Sequence, residues 1–551
     1  MKHRVFTFLV GGKAGEGVKK AGAVAASLFA GMGRSVFQMD DYQSLIRGGH
    51  NFSVVSTAQE KISSHYMQAD LAVALDEKSV SMHRDHVSDT GIMVYNSDAA
   101  EYAEGIGIPM LSLAKEFPEP KMRIGVSGAA VLACYAGLTK EECRKLIASE
   151  YPRDIENNIA YAESVFDTVA RKIGTASPLE QGNQPLPLVF GNQAIGLGAL
   201  SAGLDVYAAY PMTPASSLMH FLARSAEDLG IAVIHAESEI AVANMAVGAA
   251  FTGARAMAGT SGGGFALMEE AFSLAGITET PVLFMLSQRP GPATGVPTYT
   301  SQGDLEFALN AGHGEFPRIA ACPGSIEEAF YLTAEMMNLV WDFQTPGILI
   351  TEKHLSESTM TVSLDPDRTD WAEPIMHSSG SFKRYADTGS GISPLLFPPS
   401  SEVIKWNSYE HDESGITTEE SETITRMNSK RNRKQASLVS RLKEIDTVNV
   451  FGSGGPVIAV CGSTCMSVLE AVRAGGIEAT VVQPRYLRPF PAREMKQFKD
   501  RDIITVETNS TGQFTALLKA KTGMSAREAV LKYDGRPFDP QELAEQINSL
   551  I

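Results

Sequence analysis

The sequence is poor in cysteine, and the cysteines it has are not spaced to hold a metal. Five occur in 551 residues, at positions 134, 143, 322, 461 and 465, without a Cys-x-x-Cys pair. None of the spacings used for zinc or iron–sulfur clusters is present. We therefore expect no iron–sulfur cluster on this chain and a reduced, cytoplasmic setting.

Long hydrophobic runs are also missing. No stretch of 18 apolar residues occurs, which argues against a membrane-spanning helix. The apolar stretch at residues 5–10 is only about six residues long, shorter than the roughly 7 to 15 of a secretory signal. Gly11, Gly12 and Lys13 interrupt it, and we interpret it as a first β-strand.

Basic residues are in deficit, since 47 Lys and Arg face 64 Asp and Glu, for a net charge of −17. This balance argues against a general binder of nucleic acid or of anionic membranes. Hydrophobic residues make up 44% and charged residues 20% of the chain, an ordinary globular composition. The length is sufficient for three or four domains.

The most informative motif of the sequence lies at residues 210–216, which read Tyr-Pro-Met-Thr-Pro-Ala-Ser. The apolar run at 202–209 predicts a buried strand, and Ser216 can cap a helix that begins near Ser217. Thr213 would then lie on a stiff strand-to-helix turn, at the edge of an open sheet where ligands bind. The alternative is an ordinary proline-rich connection.

A second strand-to-helix unit follows, with a strand at 232–235 and a helix of small apolar residues from about Glu239 to Ala250. Such a helix should be buried on nearly every face. The carboxylate of Glu239 at its start needs a partner. It could serve the helix N-terminus, or it could hydrogen-bond a cofactor ring.

Further units of the same kind complete the pattern. A strand at 256–260 ends in three glycines, a helix is predicted over 265–274, and a strand at 281–286 leads into a rigid loop headed by Arg289. Repeated strand-turn-helix units predict an α/β fold with a doubly wound parallel sheet.

These segments resemble the pyrimidine-binding domain of the α subunit of 2-oxoacid:ferredoxin oxidoreductases, which are thiamine-diphosphate enzymes. The family motif Tyr-Pro-x-Thr-Pro-x-Ser matches residues 210–216, and Arg-x-x-Pro-x-Thr-Gly-x-Pro-Thr matches residues 289–298. The motif Glu-x-x-Ala matches 239–242 only in part, because Val242 stands where the family has alanine.

The N-terminal region resembles the γ subunit of the same family. Its glycines at 12, 15 and 17 have the order G-x-x-G-x-G, which is not the dinucleotide fingerprint, so they favour either an anion at a helix N-terminus or tight packing. Residues 46–49 read Ile-Arg-Gly-Gly, similar to a γ-subunit loop. The resemblance implies that Arg47, Gly48 and Gly49 line the coenzyme A side of the site.

Four regions are predicted along the chain. They are a γ-type domain at 1–175, the pyrimidine-binding domain at 188–360, an irregular connecting segment at 361–450, and a domain at 451–551 that resembles the C-terminal domain of transketolase. The connecting segment contains Glu410, His411 and Asp412, which could hold a metal but are more typical of a solvated loop. We expect no metal on this chain. The segment also resembles the one between the two domains of the family's α subunit, and we expect it to contact the partner subunit.

The resemblance also shows what this chain does not carry. Relatives bind the diphosphate and Mg²⁺ through a Gly-Asp-Gly motif, which is absent here. The resemblance therefore implies a β subunit that carries the diphosphate site, Mg²⁺ and a 4Fe–4S cluster, and an enzyme active only with that subunit. Ferredoxin, coenzyme A and a 2-oxoacid are the other expected partners.

Residue roles follow from the same resemblance. Glu239 would activate the cofactor ring, with Tyr210, Pro211 and Ser261 as further cofactor contacts. Arg289 would pair with the substrate carboxylate through two parallel bonds, and Thr213 would hydrogen-bond the carboxylate or the 2-oxo oxygen. The alternative for Arg289 is a salt bridge that braces its loop.

The substrate side chain is less defined. Many relatives that accept 2-oxoglutarate have Lys or Arg directly after the last Thr of the motif, whereas this chain has Tyr299, which we place in the substrate pocket. Lys353 could supply a cation. The fused γ–α arrangement favours 2-oxoglutarate, with pyruvate or a bulkier 2-oxoacid as alternatives. A self-sufficient thiamine enzyme and a non-catalytic assembly subunit are the hypotheses from other classes.

Overall fold

The computed structural model describes residues 5–43, 49–173 and 179–551, and the described residues form three β-sheets. The N-terminal region supplies strands β1 (Phe6–Lys13), β2 (Ser35–Asp41), β3 (His50–Ala58), β4 (Ala69–Ala74), β5 (Val87–Asn96) and β6 (Ile106–Ile108). Its helices are α1 (Val18–Gly31), α2 (Glu77–His83), α3 (Met110–Ala114), α4 (Pro120–Tyr135), α5 (Lys140–Glu150) and α6 (Ile155–Ile173).

The middle region alternates strands and helices. Its strands are β7 (Leu188–Phe190), β8 (Val206–Ala209), β9 (Ala232–His235), β10 (Ala256–Thr260), β11 (Val282–Gln288), β12 (Ile319–Ala321), β13 (Gly347–Glu352) and β14 (Thr359–Thr361). Its helices are α7 (Gly191–Ser201), α8 (Ser216–Arg224), α9 (Ala226–Leu229), α10 (Glu239–Phe251), α11 (Gly262–Ile277), α12 (Leu305–Asn310), α13 (Ile326–Phe343) and α14 (Lys353–Glu357).

The remainder begins with a long helix. The helices are α15 (Ser421–Leu442), α16 (Thr464–Ala474), α17 (Ala492–Met495), α18 (Gln513–Thr522) and α19 (Pro540–Asn548). The strands are β15 (Val448–Phe451), β16 (Val457–Val460), β17 (Thr480–Pro484), β18 (Tyr486–Arg488), β19 (Ile503–Glu507) and β20 (Glu528–Leu531).

The middle sheet confirms the predicted doubly wound α/β fold. Its order is β18-β12-β13-β11-β10-β8-β9, and every pair is parallel except β18 with β12. Successive side chains of a strand point to opposite faces. Accordingly Met257 and Leu283 pack with residues of α7 and α13, while Ala258 and Phe284 pack with residues of α10 and α11.

The sheets combine strands from different regions of the chain. In the N-terminal sheet, of order β6-β5-β4-β1-β3-β2-β14-β7, the last two strands come from the ends of the middle region. The third sheet has the order β15-β17-β16-β19-β20, but β18 leaves it to pair with β12. The three regions are therefore joined by shared sheets, and our domain boundaries stay a prediction.

Three local predictions were wrong. The first strand continues through Gly11 and Gly12 to Lys13 instead of turning there. Strand β8 begins at Val206, because α7 extends to Ser201 and Gly203, with φ of +80°, turns the chain after it. Ser216 is the first residue of α8, preceded by Ala215, and does not cap it.

The segment 361–450 was predicted to be irregular, and this was wrong for α15. The buried residues of that 22-residue helix have helical spacing, but several are basic, so no apolar stripe marks it in the sequence. Lys430 and Lys434 both form ion pairs with the buried Glu279. This contact anchors α15 to the middle region.

The polar loop beside α15 also differs from expectation. His411 is fully buried, with its ring 4.0 Å from that of Tyr385, and Glu410 forms a salt bridge with Arg431. These side chains hold the connecting segment against α15 instead of being solvated. Within the described residues no group of three His, Cys, Asp or Glu side chains is arranged to hold a metal ion.

Candidate active site

The turn after β8 brings two of the predicted residues into contact. Arg289, at the end of β11, donates a hydrogen bond from Nη1 to the main-chain carbonyl of Thr213, at 2.7 Å. Both lie at the carboxyl edge of the middle sheet, after β8 and β11, which β10 separates, and open α/β folds bind ligands at this edge. The Thr213 hydroxyl and the remaining N–H groups of Arg289 are left for a ligand.

Glu239 is the first residue of α10, but it does not cap the helix. The hydroxyl of Ser238 accepts the hydrogen bond from the N–H of Ala241, at 3.3 Å, and performs that role. The side chain of Glu239 is buried, at 4% exposure, and its Oε1 has no hydrogen-bond partner among the described residues. A buried acceptor without a partner is costly, which points to a ligand that would donate to it.

The first turn of α11 approaches this carboxylate closely. A Cβ added at Gly264 would overlap Oγ1 of Thr260 and would lie 2.8 Å from Oε1 of Glu239. Ser261, just before α11, is also buried, and its hydroxyl has no partner within the described part of the chain. In the described residues, the Oε1 of Glu239 and the hydroxyl of Ser261 thus both lack a partner, next to the glycines that begin α11. These residues fit a flat heterocycle with ring nitrogens, such as the pyrimidine of thiamine diphosphate.

Arg289 is not held by a salt bridge. Among the described residues no carboxylate lies within 4.0 Å of its nitrogens, although burial, opposed by the charge of Asp304, lowers the pKa of its guanidinium. Burial raises the pKa of Asp304 to about 6, and the charge of Arg289 opposes that rise. The Asp304 carboxylate also fills the space in front of Gly262. The bracing alternative for Arg289 thus has no ion pair to support it.

Tyr210 and Pro211 lie at the outer end of the site. The ring of Tyr210 is partly exposed and stands 6.1 Å from the ring of His235, and Pro211 is half-buried. Neither contacts Glu239 through a hydrogen bond or ion pair in the described residues. Their cofactor contacts stay a prediction.

Tyr299 lies where all three regions of the chain meet. Its hydroxyl is 3.4 Å from Oδ1 of Asp41 in β2 and 3.3 Å from Nη2 of Arg536, in the loop after β20. The Arg536 guanidinium also lies 4.4 Å above the Tyr299 ring. The same small pocket is lined by Lys353, which is buried and donates from Nζ to the carbonyl of Asp40, at 2.5 Å.

The predicted coenzyme A side is only partly described. Arg47 and Gly48 lie outside the described residues. Gly49 accepts a hydrogen bond at its carbonyl from Ala14, at 2.9 Å, and so adjoins the glycine turn before α1. In that turn the carboxylate of Glu16 accepts the N–H of Lys13, at 2.8 Å. The chain's own acid therefore occupies one of the amide groups of this turn, for which the sequence left an anion site and tight packing as alternatives.

The elements around the site expose several large apolar side chains, which lie on α10, α11 and the two neighbouring loops: Tyr210, Ile240, Met245, Leu267 and Val296. We call this set the apolar rim. It corrects the expectation that α10 is buried on nearly every face, since Ile240 is 54% and Met245 45% exposed. Apolar groups at such a mouth are typical of a surface covered by a partner.

Sequence reasoning missed several residues of this arrangement. Gly264 was assigned to a turn, although three glycines next to a strand already signal a close backbone approach. Asp304 could have been noticed as an acid that closes the loop begun by Arg289. No local signal linked Asp41 or Arg536 to Tyr299, because they are 258 and 237 residues away in the chain.

All five cysteines are buried and free. Among the helices of the described residues, none has the length and apolar content needed to cross a bilayer.

Three family models match the chain. Residues 197–430 match the thiamine-diphosphate-binding domain of pyruvate flavodoxin/ferredoxin oxidoreductases, residues 7–168 match a pyruvate ferredoxin/flavodoxin oxidoreductase model, and residues 456–543 match core domain II of pyruvate:ferredoxin oxidoreductase. The match at 197–430 includes Thr213, Glu239 and Arg289.

Individual relatives span the chain. It is 30% identical to the 2-oxoacid:ferredoxin oxidoreductase subunit alpha of Saccharolobus solfataricus, over 99% of this chain and 98% of that protein. It is 28% identical to the 2-oxoglutarate synthase subunit KorA of Archaeoglobus fulgidus, over 65% of this chain and 98% of the relative. A solved structure of 2-oxoglutarate:ferredoxin oxidoreductase from Magnetococcus marinus, with 2-oxoglutarate, coenzyme A and succinyl-CoA bound, covers all of both chains with a TM-score of 0.90 and 26% identity.

Proposed function

The chain belongs to the 2-oxoacid:ferredoxin oxidoreductase family as an α subunit, and from this membership we propose its specific reaction. With a β subunit it converts 2-oxoglutarate and coenzyme A to the acyl-coenzyme A and CO₂, and the two electrons pass to ferredoxin. The observation that carries this proposal is the buried, unpartnered Oε1 of Glu239 beside Gly264.

Thiamine diphosphate supplies, when bound, the nucleophilic carbon at which 2-oxoacids are decarboxylated. Glu239 would accept a hydrogen bond from the pyrimidine ring and hold the proton whose position controls activation of the cofactor. Ser261 offers a second polar contact. The close approach of α11 at Gly264 keeps water away from this carboxylate, which strengthens its hydrogen bonds.

Arg289 and Thr213 would hold the substrate. The guanidinium can form two parallel hydrogen bonds with the carboxylate next to the 2-oxo group, because among the described residues its N–H groups are engaged only by the carbonyl of Thr213. This same bond fixes the guanidinium relative to the Thr213 hydroxyl. Both groups thereby orient the 2-oxo carbon toward the side of the site where Glu239 lies.

The choice of 2-oxoglutarate and coenzyme A is supported by the relatives. One curated relative is a 2-oxoglutarate synthase subunit, and the structurally similar enzyme of Magnetococcus marinus contains 2-oxoglutarate and coenzyme A. The other similar α subunits are named only for 2-oxoacids. Pyruvate or a bulkier 2-oxoacid is the alternative substrate.

The requirement for a β subunit is supported by what the site lacks and exposes. The sequence has no Gly-Asp-Gly motif for diphosphate and Mg²⁺, and its five cysteines are buried apart from any cluster arrangement. We place diphosphate, Mg²⁺ and the 4Fe–4S cluster on the β subunit, and propose that it covers the apolar rim. A cytoplasmic location fits the five free thiols.

The test is reconstitution with a β chain that carries a Gly-Asp-Gly motif and clustered cysteines. We expect the complex to reduce ferredoxin or a viologen dye only when 2-oxoglutarate and coenzyme A are both present. The chain purified alone should be colourless and inactive.

Each part of the proposal has its own contrary outcome. Activity of the single chain would overturn the need for a β subunit. Turnover of pyruvate alone would overturn the substrate, and direct reduction of NAD would overturn the electron acceptor. A complex that assembles but converts no 2-oxoacid would favour the alternative of a non-catalytic assembly subunit.

A further inference from the structure

Tyr299 carries no charge that could balance the second carboxylate of a dicarboxylic substrate. A dicarboxylic 2-oxoacid has a second carboxylate, and a carboxylate removed from water needs a cation or several hydrogen-bond donors. Tyr299 offers one hydroxyl and no charge. The sequence immediately around it, Thr298 and Thr300, adds none.

The structure brings a cation to this position from the other end of the chain. The loop after β20 is joined to the Tyr299 segment by a hydrogen bond from the N–H of Thr300 to the carbonyl of Gly535, at 2.9 Å. This places the Arg536 guanidinium over the Tyr299 ring. An aromatic face and a guanidinium attract each other, so Tyr299 positions Arg536.

Within the part of the chain that the structure describes, Arg536 keeps donors free for a ligand. Its Nε faces Asp41 at 3.8 Å, its Nη1 reaches the carbonyl of Asp534 at 3.3 Å, and its Nη2 reaches the Tyr299 hydroxyl at 3.3 Å. Each Nη carries two N–H groups, so one on each remains. Two such groups side by side suit a carboxylate.

The other charges of the pocket are already engaged. Asp40 pairs with Lys19 at 3.5 Å, and Glu357 accepts a hydrogen bond from Tyr42 at 2.8 Å. The nearby Lys353 is buried and committed to the carbonyl of Asp40, but it adds positive charge. Arg536, with a half-exposed side chain, is the cation that can adjust to a ligand.

Arg289 and Arg536 also flank one rigid loop. A Cβ built at Gly535 would lie 3.1 Å from Cβ of Tyr299 and 3.7 Å from Cγ of Pro290, the residue that follows Arg289. Arg289 thus begins the loop at 289–299, and Arg536 packs on Tyr299, which ends it.

We propose that Arg536 binds the distal carboxylate of a dicarboxylic 2-oxoacid, with Tyr299 and Asp41 positioning its guanidinium. This inference rests on the proposed function, because it names a specificity residue for the same site. In this proposal the C-terminal region recognises the side chain of the substrate through Arg536. Arg289 binds the carboxylate that all 2-oxoacids share.

The test compares kcat/KM for 2-oxoglutarate and for pyruvate in the complex with the β subunit. Arg536→Gln should lower the value for 2-oxoglutarate by about 10- to 100-fold, mainly through KM, and leave pyruvate within about twofold. Arg536→Lys should retain part of the preference. Arg493→Gln removes the same charge at an exposed position of the C-terminal region and should change neither value.

A contrasting variant separates the two arginines. Arg289→Lys should damage both substrates alike, because a single ammonium cannot reproduce two parallel bonds. Equal effects of Arg536→Gln on the two acids, or no effect, would overturn the inference while the proposed reaction stands. A wild-type complex that is inactive toward every 2-oxoacid would instead overturn the proposed function and this inference with it.

Discussion

The carboxylate of Glu239 is buried where its own helix does not need it. Ser238 caps α10, and the Oε1 of Glu239 has no hydrogen-bond partner among the residues that the structure describes. An unpaired buried acceptor typically costs about 1 to 3 kcal/mol, so a purely structural role would be better served by an apolar side chain. This residue therefore has the character of a ligand contact, and substitution can test it directly.

We predict that Glu239→Gln leaves the complex folded but nearly inactive. The amide is almost isosteric with the carboxylate and keeps an acceptor, but it cannot hold the proton. Loss of general acid–base assistance typically reduces the rate by about 10² to 10⁴. The measurement is kcat with 2-oxoglutarate, alongside thermal unfolding of the complex.

Glu237→Gln is the matched control, because it makes the same chemical change at an exposed position two residues away. It should keep full activity. Near-normal turnover of Glu239→Gln would return Glu239 to a merely structural role at the helix start.

At the scale of elements, the site depends on how closely α11 approaches α10. Gly264 allows the first turn of α11 to lie against Thr260 and Glu239, and no side chain could replace its hydrogen without a shift. A Cβ built at the neighbouring Gly263 would meet only the carbonyl oxygen of Ala293 among the described residues, at 3.8 Å. Two adjacent glycines therefore differ in whether they tolerate a methyl group.

We predict that Gly264→Ala displaces Glu239 and weakens cofactor use. The methyl group would overpack this contact at a cost of roughly 1 to 3 kcal/mol, and the complex should need more thiamine diphosphate for half-maximal activity. Gly263→Ala should instead stabilise α11 by about 0.5 to 1 kcal/mol, since alanine favours helix. Thermal unfolding of the isolated chain measures the stability of both variants. Equal effects of the two substitutions would contradict the packing argument.

Helix α15 shows a different dependence at the same scale. It is anchored by two lysine ammonium groups on the buried Glu279. Burial raises the pKa of Glu279, but the two ammonium groups outweigh it and hold the pKa well below its usual range. A charged cluster of this kind positions the helix, although an apolar contact of the same size would stabilise it at least as well.

At the scale of the whole molecule, a buried network joins the middle and C-terminal regions. Glu352, at the end of β13, accepts a hydrogen bond from the N–H of Ser463, at 3.2 Å, and its Oε2 has no partner among the described residues. Burial raises its pKa to about 7, against the effect of hydrogen bonds from Ser463 and Gln302. The junction is therefore built around a carboxyl group that favours its protonated form.

We predict that this group makes the protein less stable as the pH rises. The folded state holds the proton up to about pH 7, whereas the unfolded chain releases it near pH 4.3. Its contribution is full below pH 4 and is lost between about pH 4 and 7. Over that range the wild type should lose roughly 2 to 3 kcal/mol relative to Glu352→Gln, which does not titrate.

The measurement is the difference in Tm between wild type and Glu352→Gln from pH 4.5 to 8. Taking the difference cancels the buried His65, whose pKa burial lowers to about 4, because it is present in both proteins. Glu306→Gln, at an exposed site, is the control and should show no trend. A constant difference between wild type and Glu352→Gln would show that Glu352 is ionised in the folded protein.

The sequence by itself determined the doubly wound sheet and the site at its edge. Short apolar runs bounded by glycine or proline turns are local signals, and the strands at 232–235, 256–260 and 282–288 follow them. The motifs around Thr213 and Arg289 follow β8 and β11, so both could be placed at the carboxyl edge of the sheet. The residue Glu239 could be selected, but not the fact that its Oε1 is unpaired.

Tertiary structure decided the features that depend on distant partners. Helix α15 was hidden because its buried positions carry lysine and arginine, whose burial depends on the carboxylates of Glu279 and Glu410 opposite them. The exchange of β14 and β18 between sheets depends on edges that are distant in the chain. Arg536 contacts Tyr299, which is 237 residues away in the chain. Periodicity and turn residues are local signals and cannot predict such a contact. Side-chain pairs at that separation depend on how whole sheets pack.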